Sequence, residues 1–90
     1  MAKANVDPDE LKRFARDLTR FNGELEGLMN ALRSRLRGLE KTWQDHEQRR
    51  FTAEFDQTMK TLGRFLESSG RHATFLAGKA RHIEDYLQQR

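Results

Sequence analysis

Apolar residues recur along the first half of the chain at Leu11, Phe14, Leu18, Phe21, Leu25, Leu28, Leu32, Leu36, Leu39 and Trp43. The steps are 3, 4, 3, 4, 3, 4, 4, 3 and 4, a heptad stripe with one stutter near Leu32. A strand would alternate at every second residue, and nothing here does. The spacing predicts a helix over about residues 8–41, roughly 50 Å long at 1.5 Å per residue. The second half repeats the pattern at Phe51, Phe55, Met59, Leu62, Leu66, Ser69, Ala73, Leu76, Ala80, Ile83 and Leu87. It predicts a second helix over about residues 46–88. A flanking row of Phe65, His72, Phe75 and Tyr86 widens the apolar surface of that helix beyond what one neighbour requires.

Start signals agree with these bounds. In "DPDE", Asp7 is an N-cap, Pro8 occupies the first helical position, and Glu10 stands where a capping box places its acid. In "DHEQ", Asp45 is a second N-cap, with Gln48 three residues later. Thr42 to Gln44 are left to connect the helices, so the turn covers about residues 42–45. A connection that short makes the helices antiparallel neighbours. It contains neither Gly nor Pro, which leaves a continuous helix through residues 43–47 as the alternative. All six glycines fall inside the predicted helices, where each costs up to about 1 kcal/mol relative to Ala. Gly23 and Gly27, and Gly63 and Gly70, are spaced for close approach of another helix or are simply tolerated on the surface.

Composition turns this hairpin into half of something larger. Only 36% of the 90 residues are hydrophobic and 34% are charged, and there is no cysteine. So small and polar a chain builds a thin core, without disulfides or thiolate metal sites to reinforce it. Two hairpins packed together close the seam that one leaves open to water. The expected fold class is therefore all-α: an antiparallel two-helix hairpin dimerising into a four-helix bundle. Leu18, Phe21, Leu25, Leu28, Leu32, Phe55, Leu62, Leu66, Leu76 and Ile83 are its core and dimer positions, with Leu25 and Leu76 buried in the seam. The partner is a second copy or a paralogous small helical chain. No apolar run approaches the roughly 20 residues of a membrane span. "MAKANVDPDEL" has no signal-peptide h-region, so the expected location is the cytoplasm, or outside the cell by a leaderless route.

With a hairpin of this length, a central Trp and a Phe eight residues later, the chain resembles the WXG100, or ESAT-6-like, family across its whole length. Leu39, Trp43 and Phe51 match the family's spacing around its Trp-x-Gly turn. The resemblance implies hairpins that dimerise as four-helix bundles and serve as substrates or partners of type VII secretion systems. Two positions depart from the family pattern. Asp45 replaces the motif glycine, giving Trp-Gln-Asp, and both residues are acceptable N-caps. The family's C-terminal signal is Tyr-x-x-x-Asp/Glu, whereas "YLQQR" has Tyr86 followed by Arg90 in the acid's place.

Candidate chemistry adds little. Trp43 is expected to pack over the bundle end. Asp45, His46 and Glu47 are consecutive, so their side chains diverge by about 100° each around a helix and do not aim at one atom. His72 and His82 are about 15 Å apart along a helix, too far for one metal. There is no phosphate-binding glycine loop and no nucleophile–base pair, so no catalytic set, metal or cofactor is expected. The net charge of +3 comes from 17 basic and 14 acidic residues. Arg33, Arg35, Arg37, Lys41, Arg49 and Arg50 ring the turn. The alternative function is a basic helical adaptor binding nucleic acid or an anionic surface. It ranks second to protein interaction because no recognised nucleic-acid module accompanies the charge.

Overall fold

The computed structural model describes residues 6–89. Two α-helices account for nearly all of them: α1, Pro8–Leu39, and α2, His46–Gln88. They lie antiparallel in a hairpin that measures 68 × 19 × 14 Å. The Cα radius of gyration is 20.2 Å, against about 12 Å for a compact chain of this length.

Both helix starts follow from their caps. Asp7 is extended, and its Oδ1 accepts the Asp9 N–H at 2.9 Å. Asp45 is also extended, and its Oδ1 accepts the Gln48 N–H at 2.8 Å. Each removes an orphan donor from a first turn. The connection runs from Glu40 to Asp45, longer than the three residues expected, because α1 stops at Leu39 and not near Lys41. The break also rules out a continuous helix through residues 43–47. The Leu39 carbonyl accepts the N–H groups of Thr42 (3.1 Å) and Trp43 (3.0 Å), and the Thr42 hydroxyl lies 3.3 Å from it. These bonds satisfy an end carbonyl with no residue at positive φ among those described. The turn needs no glycine for that reason.

The seam between α1 and α2 holds small and polar side chains. Ala15 and Met29 from α1 are buried against a stripe of Met59, Ser69, Ala73 and Ala80 from α2. No large side chain is fully buried among the described residues. Leu25 and Leu76, expected to be buried in the seam, are only half-buried, as are Leu18, Phe55, Leu62, Leu66 and Ile83. Phe21, Leu28 and Leu32 are exposed. The reason is one of register. On α1 the row Ala15–Asn22–Met29, one residue on from Phe14–Phe21–Leu28, faces α2, and the bulkier row is turned about 100° outward.

Three polar ties fix that register. At the turn end, the buried Gln48 side chain donates to Glu40 Oε2 (3.1 Å) and Thr52 Oγ1 (2.8 Å), and Thr52 donates to Glu40 Oε2 (3.0 Å). Midway, the buried Ser69 hydroxyl donates to Asn22 Oδ1 at 2.7 Å. At the open end, Lys12 pairs with Glu84. Gln48 thus reaches across the turn to Glu40, the C-cap of α1, leaving the capping of α2 to Asp45. The six glycines are not close-approach sites within the hairpin: a Cβ at any of them would meet nothing within 4 Å.

Candidate interaction face

The side chains left outside the seam collect on one side of the hairpin. On α1, Phe14 is 57% exposed and Leu28 64%, and Phe21, Leu32 and Leu39 are exposed with them. On α2, Phe51, Phe65, Phe75 and Tyr86 are exposed. The two rows meet where the Phe21 and Phe65 rings pack edge-to-face, centroids 6.4 Å apart. The face continues to the tip through an aromatic ladder. Trp43 lies 5.9 Å from Phe51, and Phe51 stacks on Phe55 at 5.9 Å. Trp43 is half-buried and leans on the start of α2. The opposite side of the hairpin differs in kind. It carries an open groove floored by Ala15, Gly23, Gly70 and Ala73 and rimmed by Arg16 and Glu67.

The total accessible surface is 7473 Å², roughly a third above the ~5,500 Å² of a compact monomer of this mass. Elongation and the uncovered apolar face both contribute. Contiguous exposed apolar patches beyond a few hundred Å² mark interaction sites on soluble proteins. The face is wide because each helix presents two neighbouring rows, an inner one to its partner in the hairpin and an outer one to solvent. Two seams about 100° apart on each helix are the arrangement of a four-helix bundle, where every helix has two neighbours.

Of the groups singled out by the sequence, Trp43 and Phe51 come together with Phe55 at the tip, and Asp45 is the α2 cap. His46 and Glu47 stay exposed. Among the described residues no three His, Cys, Asp or Glu gather as a metal site. Of the basic residues near the turn, Arg33 donates to Asn30 Oδ1 (3.1 Å) and Arg50 pairs with Glu54 (4.0 Å). Arg35, Arg37, Lys41 and Arg49 are exposed. Tyr86 is exposed on the last turns of α2, and Arg90 lies outside the described residues. Ala15, Asn22 and Met29, and the Glu40–Gln48–Thr52 tie, were missed in the sequence. A signal for the first set was there: these residues repeat at steps of seven, parallel to the bulky stripe beside them.

No described helix is long and apolar enough to cross a membrane. The profile of the family described as proteins of 100 residues with WXG matches residues 3–88. No curated protein matches the chain. Among solved structures it is similar to a secreted protein, EsxB, from Bacillus anthracis str. Sterne. The wild-type form of that protein shares 27% identity, covering 91% of this chain and 88% of that one, with a TM-score of 0.81. Its selenomethionine-labelled form shares 26% identity over 96% and 98% of the two chains, with a TM-score of 0.82. Pairing of such hairpins into four-helix bundles is the known arrangement of this family. With the profile spanning nearly the whole hairpin and its Trp43 turn, the chain belongs to the WXG100 family.

Proposed function

We propose that the protein is a non-enzymatic interaction protomer of a type VII secretion system, working as one half of a four-helix bundle. The observation that supports this reading is the outward apolar face of α1, where Phe14, Phe21, Leu28, Leu32 and Leu39 stand exposed in the isolated hairpin. A second helical hairpin is the partner whose shape covers two parallel outer rows at once. Light scattering across a range of salt concentrations tests it. Apolar assembly should survive from about 50 to 200 mM salt, whereas phosphate-driven nucleic-acid binding falls by about 10³–10⁵-fold over the same range. A complex that forms only with nucleic acid and dissolves over that range would overturn the proposal in favour of the basic-adaptor alternative.

The chain's own part in export turns on the segment that begins at Tyr86. Tyr86 is presented on an exposed helical turn, but Arg90 carries a positive charge where the family's signal carries a negative one. A receptor surface arranged for a carboxylate meets like charge there, which suppresses docking. The bundle partner then supplies the acidic signal, and the two leave the cell together. Expressed alone in a cell with an active type VII system, the unaltered chain should stay inside and Arg90→Glu should increase its export. Efficient secretion of the unaltered chain without a co-exported partner would contradict this.

A further inference from the structure

We infer that the turn end of the hairpin docks on an anionic lipid surface, with the rod standing on its tip. The net charge of the chain is gathered there. Residues 33–52, two turns of each helix and the connection between them, hold six of the 17 basic residues and three of the 14 acidic ones. Eleven of each remain elsewhere, so the net charge of +3 belongs to this end. Two of the three acids are engaged. Glu40 Oε2 accepts from Gln48 and Thr52, and Asp45 Oδ1 accepts the Gln48 N–H. The basic side chains are left open. Among the described residues the ion pairs are Lys12–Glu84 and Arg50–Glu54, and Arg35, Arg37, Lys41 and Arg49 stand exposed outside them.

Apolar groups sit among these charges. Leu39 and Phe51 are exposed and Trp43 is half-buried. Arg37 stands two residues before Leu39, and Arg49 two before Phe51. At about 100° per residue, each Arg lies on the far side of its helix from that apolar neighbour. The end of the rod, 19 × 14 Å in section, thus carries an apolar spot bordered by cations. A bilayer interface takes both. Cations meet the lipid phosphates, while Trp and other apolar groups settle at the headgroup boundary. Nucleic acid fits less well, because it needs a basic groove that tracks the phosphates and open aromatic faces on which bases stack. Here the excess charge stops at the end of the rod, and Phe51 already packs against both the Trp43 and the Phe55 rings. Arg37, Lys41 and Arg49 lie off the side that holds Phe14, Phe21 and Leu28, so a hairpin covered along that side still presents them.

The test uses the full chain and its one tryptophan, Trp43, as the reporter. The probes are phosphatidylcholine vesicles with and without phosphatidylglycerol. Flotation should recover the chain with the anionic vesicles only, and brominated acyl chains in them should quench Trp43. Lys41→Gln with Arg49→Gln should weaken vesicle binding about 25-fold, at about fivefold for each basic residue near an anionic surface. Helicity and assembly mass should not change, because both sites are exposed. No flotation, or equal flotation with neutral vesicles, overturns the inference. Flotation that ignores the two substitutions, or that leaves Trp43 unquenched, means that the long apolar side lies on the bilayer, and overturns it too. Mixed-sequence DNA, single-stranded and duplex, is the competitor. DNA that strips the chain from the vesicles, and loses that power with the same two substitutions, overturns the lipid assignment in favour of nucleic acid. Loss of docking with assembly intact leaves the interaction reading standing, whereas docking by a chain that never assembles overturns only that reading.

Discussion

Asp45 shows how much one side chain decides in a hairpin this thin. Its carboxylate accepts the Gln48 N–H, while the Gln48 side chain donates to Glu40 and Thr52 at the turn. A glycine at this position would leave the same backbone donor to water. Asp45→Ala should cost about 0.5–2 kcal/mol in thermal or urea unfolding, and Asp45→Gly only a few tenths. Equal losses from the two variants would contradict the capping role. Ser69 and Asn22 are a second such pair, the first buried and the second half-buried, where most of the seam is alanine and methionine. Ser69→Ala strands the Asn22 carbonyl oxygen and should cost about 1–3 kcal/mol. The further change Asn22→Ala should recover part of that loss, which a double-mutant cycle measures. The caps were legible in the sequence because they depend on neighbours a few residues away. The Asn22–Ser69 bond was not, because it joins positions 47 residues apart whose pairing follows only from the register of the whole hairpin.

At the level of the helices, the heptad steps predicted both elements and their antiparallel pairing, and α2 begins at His46 as its Asp45 cap implied. They did not separate the inner row from the outer one. The longest apolar residues define the most visible stripe, and in a two-helix hairpin that stripe is read as the seam. Here alanine, serine and methionine fill the seam between α1 and α2, and the bulky row of α1 stands exposed. Periodicity gives the width of an apolar surface but not which part of it meets which neighbour. The glycines sharpen the same point. Gly27 is exposed in the middle of α1, and a Cβ there would meet nothing. Gly27→Ala should therefore raise stability by about 0.5–1 kcal/mol through helix propensity. A lower melting temperature together with weaker assembly would mean that a partner helix approaches Gly27 closely in the bundle.

As a whole molecule, the hairpin is a rod with two unlike sides, one aromatic and leucine-rich, the other a shallow groove of small residues. Its internal seam sets the shape and its outer rows are left to be covered. The central claim is that the outer row of α1 carries assembly while the inner seam carries the hairpin. One paired measurement separates them: mass by light scattering and helicity by circular dichroism, for Leu28→Asp and for Ala73→Asp. Leu28 is 64% exposed in the hairpin and Ala73 only 7%. A charge at Leu28 meets water until a partner covers it, and then it is buried without a counter-ion. Leu28→Asp should keep its helices and fall to the 10.6 kDa mass of one chain, whereas Ala73→Asp should lose helicity. Retention of the full assembly by Leu28→Asp, with its helices intact, would contradict the account.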